Sequence, residues 1–240
     1  MMLRKKKTIV RDYTGKRLNE KTPFAVQEAF RAMRANIIYA SADHGKRAFG
    51  VTSAHAGEGK SLIIANLALS FAMLEKKVLL IDADMRCPAQ QMIFADELGR
   101  DHLGLTEYLA GVTKNVKDCI LSVEGGLSLM PCGKSPPNPA ELLASLRMKE
   151  MMEALFEEYD FIFVDLPPIC EVSDATVLSS LLTGYFLVAR AEHCEGRELA
   201  RAEELLSAAG ARLYGVVLND IAPQKSSYYS KYHYGYGEGK

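Results

Sequence analysis

The stretch Ala54-His55-Ala56-Gly57-Glu58-Gly59-Lys60-Ser61 has the spacing of a phosphate-binding P-loop, with Ala standing where the first glycine would be. Gly57 and Gly59 let backbone amides turn towards phosphate oxygens, and Lys60 would neutralise the outer phosphates. The Ser61 hydroxyl is of the type that ligates Mg²⁺. A glycine-rich turn with a chance lysine is the plainer alternative. The apolar run before the loop and the helical pattern after it argue for nucleotide binding, with Gly57, Glu58, Gly59, Lys60, Ser61 and Leu62 as the cradle. A second signal is Val78-Leu79-Leu80-Ile81-Asp82-Ala83-Asp84-Met85-Arg86, two carboxylates at the end of an apolar run. A third is Phe161-Ile162-Phe163-Val164-Asp165-Leu166-Pro167-Pro168. Any one such Asp is usually a turn or N-cap residue. Three acids converging on a P-loop need a cation, and Mg²⁺ shared with nucleotide phosphates supplies it.

The elements that must position these residues follow from the apolar pattern. Short apolar runs at 47–53, 78–82, 127–131, 161–165, 185–189 and 213–219 read as strands, several apolar on both faces, as in a parallel sheet covered by helices. Helices are expected at 23–42, opened by Thr22-Pro23, and at 60–75, 139–158, 174–182 and 195–209, the third opened by Asn138-Pro139 and the last closed by Gly210. The fold class is therefore α/β, a doubly wound, mostly parallel sheet of P-loop NTPase type, in which strand C-terminal ends collect ligands on one edge. Residues 1–22, with Arg4, Lys5, Lys6, Lys7, Arg11, Lys16, Arg17 and Lys21, read as a basic, solvated arm. Residues 23–221 form the P-loop domain. Residues 222–240, whose larger apolar side chains are all tyrosines, read as a disordered tail.

Composition narrows the function classes. The 240 residues carry 29 Lys+Arg against 30 Asp+Glu, a net charge of -1, which disfavours a general nucleic-acid binder. The longest apolar stretch, Leu62 to Leu74, is interrupted by Asn66 and Ser70 and falls short of the ~18 residues of a membrane span. The basic cluster at Arg4 to Lys7 leads into no apolar core, so no signal peptide is expected. Five cysteines without a CxxC pair fit a reducing cytoplasm.

Together these motifs resemble the bacterial tyrosine kinases (BY-kinases) of capsule and exopolysaccharide synthesis, in the stand-alone cytoplasmic form of Gram-positive bacteria. The likeness spans nearly the whole chain. The family's Asp-x-Asp-x-Arg motif is matched by Asp82, Asp84 and Arg86, and its Asp-x-Pro-Pro run by Asp165, Leu166, Pro167 and Pro168. Its Glu-x-x-Arg-x-x-Arg oligomerisation motif is matched by Glu28, Arg31 and Arg34, although that spacing is also common on solvated helix faces. Tyr228, Tyr229, Tyr232, Tyr234 and Tyr236 correspond to the family's tyrosine cluster, and Asn219 to its adenine-contacting Asn. The family usually has Pro where Ala56 stands. Min and Par partitioning ATPases are similar too, but His55 occupies the position of their signature Lys, which disfavours an ATP-sandwich dimer.

The resemblance implies an ATP- and Mg²⁺-dependent tyrosine kinase that phosphorylates its own tail tyrosines. It implies that Asp82 orients or accepts the tyrosine hydroxyl proton, that Ser61, Asp84 and Asp165 hold Mg²⁺, and that Lys60 and Arg86 belong to the catalytic set. It further implies a ring-like homo-oligomer recruited to the inner face of the cell membrane by a membrane-spanning activator or polysaccharide co-polymerase, with other protein substrates besides itself. The rival readings are a Min- or Par-like ATPase switch and a non-catalytic ATP-binding scaffold.

Overall fold

Strands apolar on both faces require cover on both sides. The computed structural model, which describes residues 16–42, 45, 47–98 and 102–221, supplies it. Seven strands form one sheet: β1 (Ala48–Ser53), β2 (Val78–Asp82), β3 (Leu121–Ser122), β4 (Ser128–Met130), β5 (Phe161–Asp165), β6 (Gly184–Arg190) and β7 (Leu213–Asn219). Their order is β3-β4-β2-β5-β1-β6-β7, all neighbours parallel except the β3-β4 pair. Every residue of β1, β2 and β5 is buried. These strands carry the three motifs, so each motif ends in a rigid frame.

One face of the sheet is covered by α1 (Phe24–Ala40) and α2 (Lys60–Ala72). Aromatic rings fill the space beneath them: Phe71 lies 4.5 Å from Phe161 and 5.2 Å from Phe163 between centroids, and Phe49 meets Tyr214 edge-on at 5.4 Å. Burying such side chains contributes roughly 1.5–3 kcal/mol each. The other face is covered by α5 (Pro139–Leu143), α6 (Leu146–Glu158), α7 (Asp174–Val177) and α8 (Gly196–Ala208). Shorter pieces, α3 (Gln90–Ile93) and α4 (Leu105–Leu109), follow β2.

The expected strands all form within a residue or two. The helix expected over 139–158 is instead two, because Ser145 leaves the helical region at φ -69°, ψ 152° and its side chain caps α6 by accepting from the Met148 amide at 3.2 Å. A Ser that can satisfy a free amide competes with helix continuation. The helix expected over 174–182 ends at Val177.

Residues 16–22 are packed against the fold, where a solvated arm was expected. The Leu18 amide donates to Asn66 Oδ1 at 2.7 Å, and Asn66 Nδ2 donates to the Lys16 carbonyl at 3.1 Å. Leu18 is buried, while Arg17 pairs with Glu97 and lies over the Phe94 ring at 5.2 Å. A basic count is blind to the buried Leu18 and to the acidic partners of Arg17, Glu97 foremost with Asp96 and Glu124 near it, that anchor the segment. The remainder of the arm and the tyrosine cluster lie outside the described residues.

Candidate active site

β1 delivers the chain to the P-loop, and α2 begins at Lys60 with its N-cap Gly59 at φ 90°. That conformation suits glycine. A side chain there would also collide with Asn219, whose Nδ2 stands 2.2 Å from the place a Cβ would take. Asn219, at the end of β7, donates from Nδ2 to the Glu58 carbonyl at 2.9 Å. The loop is thus tied to the far strand of the sheet. Its other side is held by Glu171, whose Oε1 accepts from the Ala56 amide at 2.8 Å. His55 faces Glu171 and Glu198 of its own chain, at 3.5 and 3.2 Å.

Asp82 and Asp165 stand opposite each other on paired β2 and β5, and both are fully buried. The Lys60 ammonium sits 2.6 Å from Asp84 Oδ2, 3.4 Å from Asp165 Oδ1 and 3.2 Å from Ser61 Oγ. Burial alone would pull the Lys60 pKa down. The carboxylates of Asp165, Asp84 and Asp82 override it and hold Lys60 above the ordinary lysine value. Burial pushes the Asp82 carboxyl well above the carboxylate range, and the charge of Asp165 adds to the shift. Asp165 is raised by burial too, with Lys60 opposing.

Asp82 does not point freely into a cleft. Its Oδ2 accepts from the amides of Ala89 and Gln90 at 3.1 and 2.9 Å, and its Oδ1 accepts a long 3.3 Å bond from the Asp84 amide. Asp84 Oδ1 accepts from the Cys87 amide at 3.1 Å. Arg86 turns aside, holding the buried Asp174 through Nε at 2.7 Å and Nη2 at 3.0 Å. Asp174 raises the Arg86 pKa chiefly through these bonds. On α1, Arg31 pairs with Glu28, whereas Arg34 donates to the Ser70 carbonyl of α2. Burial lowers the Arg34 pKa, and Arg31 adds to it.

The structure therefore brings Lys60, Ser61, Asp82, Asp84, Asp165 and Asn219 to one edge. It spends Arg86 and Arg34 on contacts within the chain. Gln90, Glu171 and Asp174 escaped the sequence reading, since no motif spacing marks them. Leu62 lines a cavity of about 440 Å³ beside the loop, together with Lys16, Pro23, Phe30, Ile63 and Asn219. Among the described residues, no group of three or more His, Cys, Asp or Glu side chains forms a metal cage by itself. Mg²⁺ held by one or two carboxylates and the substrate's phosphates needs none. The oxygens of Ser61, Asp84 and Asp165 already converge on one positive charge, that of Lys60, and are of the hard type that Mg²⁺ takes alongside phosphate and water oxygens.

Comparison with known proteins supplies the deciding observation. The chain is 35% identical over 237 residues to the putative tyrosine-protein kinase CapB of Staphylococcus aureus, covering 99% of this chain and 100% of that one. The chain belongs to the bacterial tyrosine kinase family. The kinase is also 40% identical over 205 residues to the tyrosine-protein kinase YwqD of Bacillus subtilis, at 85% of both chains. A family model described as an AAA domain matches residues 47–189 of the kinase. Among solved structures, the kinase domain of Escherichia coli tyrosine kinase ETK superposes with a TM-score of 0.78 at 32% identity, over 89% of this chain and 80% of that one. The chimerical protein CapA2B2 superposes with the same TM-score at 35% identity, over 84% and 88%. The septum site-determining protein MinD of Pyrococcus horikoshii, at TM-score 0.61 and 22% identity, shares the fold alone. No helix among the described residues of the kinase is long and apolar enough to cross a membrane.

Proposed function

We propose that this kinase transfers the γ-phosphoryl group of ATP, with Mg²⁺, to tyrosines of its own C-terminal cluster (Tyr228, Tyr229, Tyr232, Tyr234 and Tyr236) in the control of capsular or exopolysaccharide synthesis and export. The observation that carries the chemistry is the Lys60 ammonium, buried between Asp84 and Asp165 beside Ser61. Phosphoryl transfer needs positioning and charge neutralisation more than covalent help from the protein. The loop amides and Lys60 would hold the phosphates, and Asn219 would fix the adenine side of the loop. Ser61, Asp84 and Asp165 would hold Mg²⁺, which supplies charge neutralisation at the phosphates. Asp82 would orient or accept the proton of the attacking hydroxyl. A tyrosine hydroxyl with a pKa near 10 needs such a base or a nearby cation before it attacks.

Self-association through Glu28 and Arg31 rests on their shared exposed face of α1. Arg34, drawn in towards α2, contributes less to that face than the motif suggests. A membrane-spanning activator as partner is supported by the structural likeness to the chimerical CapA2B2 protein, and recruitment to the inner face of the cell membrane follows from such a partner. Other protein substrates remain part of the proposal.

Incubation of the full chain with Mg-ATP, followed by mass spectrometry of the peptides covering 222–240, tests the reading. Phosphotyrosine is expected there in the wild type and absent in Lys60→Met. Phosphate release without phosphotyrosine would replace the kinase reading with that of an ATPase switch.

A further inference from the structure

Gln90 is buried at the start of α3, and its hydrogen bonds reach the ends of β2 and β5 and the first turn of α2. Nε2 donates to Asp165 Oδ2 at 2.8 Å and to the Ser61 carbonyl at 3.0 Å, while its main-chain amide donates to Asp82 Oδ2. Because both partners of Nε2 are acceptors, the amide can be oriented in only one way. Its oxygen, Oε1, is then a buried acceptor with no hydrogen-bond partner among the described residues. An unpaired buried acceptor is costly, so the orientation of this amide is set by the two bonds of Nε2.

The division of the Asp165 carboxylate is equally specific. Oδ2 is taken by Gln90, and Oδ1 faces the cation, here the Lys60 ammonium. A neutral amide orients the carboxylate without adding charge, as the partners of metal ligands commonly do.

We infer that Gln90 is a positioning residue of the Mg²⁺ site: its Nε2 fixes Asp165 Oδ2, so that Oδ1 is the oxygen left to meet the metal. This rests on the Mg²⁺ reading above. A purely structural brace between α2 and α3 would affect nucleotide binding with and without metal alike.

The test measures binding of a fluorescent ADP analogue to the full chain with saturating Mg²⁺ and with excess EDTA, so no turnover is needed. For Gln90→Met, which keeps length and removes the amide, about tenfold or more of the Mg²⁺-dependent gain in affinity should be lost, with affinity in EDTA within about twofold of wild type. Equal losses in both conditions, or a retained gain, would overturn the inference. Should Gln90→Met not fold, judged by circular dichroism, Gln90→Asn keeps the amide but shortens its reach, and the same ratio is expected to fall at least about threefold. A wild type with no Mg²⁺-dependent gain would remove the metal reading and the role of Gln90 with it. A wild-type gain that both variants retain would remove the role of Gln90 alone.

Discussion

Lys60 is the counter-ion of two buried carboxylates as well as a phosphate ligand, so removing it has a thermodynamic as well as a catalytic effect. Taking away one partner of a buried charged group commonly costs about 3–5 kcal/mol. Lys60→Met should therefore melt well below wild type at neutral pH, and added Mg²⁺ should raise its melting temperature more than that of wild type, because a divalent cation can replace the missing ammonium. Differential scanning calorimetry with and without Mg²⁺ checks this, and equal shifts would show that no cation enters between Asp84 and Asp165. Asp82 makes the opposite case. Its folded pKa is raised, so the fold favours the protonated form, and that contribution is full below the unfolded value of ~3.9 and is lost as pH rises through the higher folded value. Asp82→Asn keeps an acceptor for Ala89 and Gln90 and carries no buried charge, at the loss of the long bond from the Asp84 amide, which its NH2 would face. We expect it to be more stable than wild type near neutrality by on the order of 1 kcal/mol, a shift of roughly 2–4 °C, with a flatter stability–pH profile. Kinase activity should fall far more than ATP affinity. If ATP binding fell as much as in Asp165→Asn, Asp82 would be a metal-site residue.

At the scale of elements, the apolar runs of β1, β2 and β5 were legible because burial on both faces leaves no polar alternation to misread. The P-loop was legible because its phosphate chemistry depends on local spacing. Gln90 was not, since its side chain is selected by residues 29 and 75 positions away in sequence. The same reason hid α3 and α4. They are too short for a helical period, and contacts from elsewhere or from a single Glu hold their ends: Asp82 accepts from the α3 amides, and Glu107 caps α4 from within. Arg86 shows the converse, a motif residue whose partner, Asp174, lies far along the chain. Residues 16–22 are held by the Asn66 amide together with Leu18 and Arg17. Asn66→Ala removes both hydrogen bonds to Lys16 and Leu18, and trypsin should then cut after Arg17 and Lys21 markedly faster while cleavage within 47–98 stays slow. Unchanged cutting would mean that Leu18 and Arg17 suffice as anchors.

For the molecule as a whole, the proposed self-association turns on the exposed face of α1. Glu28→Ala with Arg31→Ala alters an exposed pair and should leave the monomer's melting temperature within about 1 °C, since such pairs contribute little. Light scattering should nonetheless show loss of the oligomer, and an unchanged mass would return the pair to a solvated face. Adding Arg34→Ala also breaks the contact with the Ser70 carbonyl, so the triple variant should be less stable than the double. Changing the five tail tyrosines to Phe should abolish tail phosphorylation and keep the oligomer assembled. The small cavity beside the P-loop is bordered by both Lys16 and Asn219, where the described chain enters and leaves the fold. With the flanking segments 1–15 and 222–240 removed, these two positions can be joined by a short Gly-Ser linker and the chain reopened at a distant surface turn, giving a circular permutant whose breakpoint lies away from the nucleotide site.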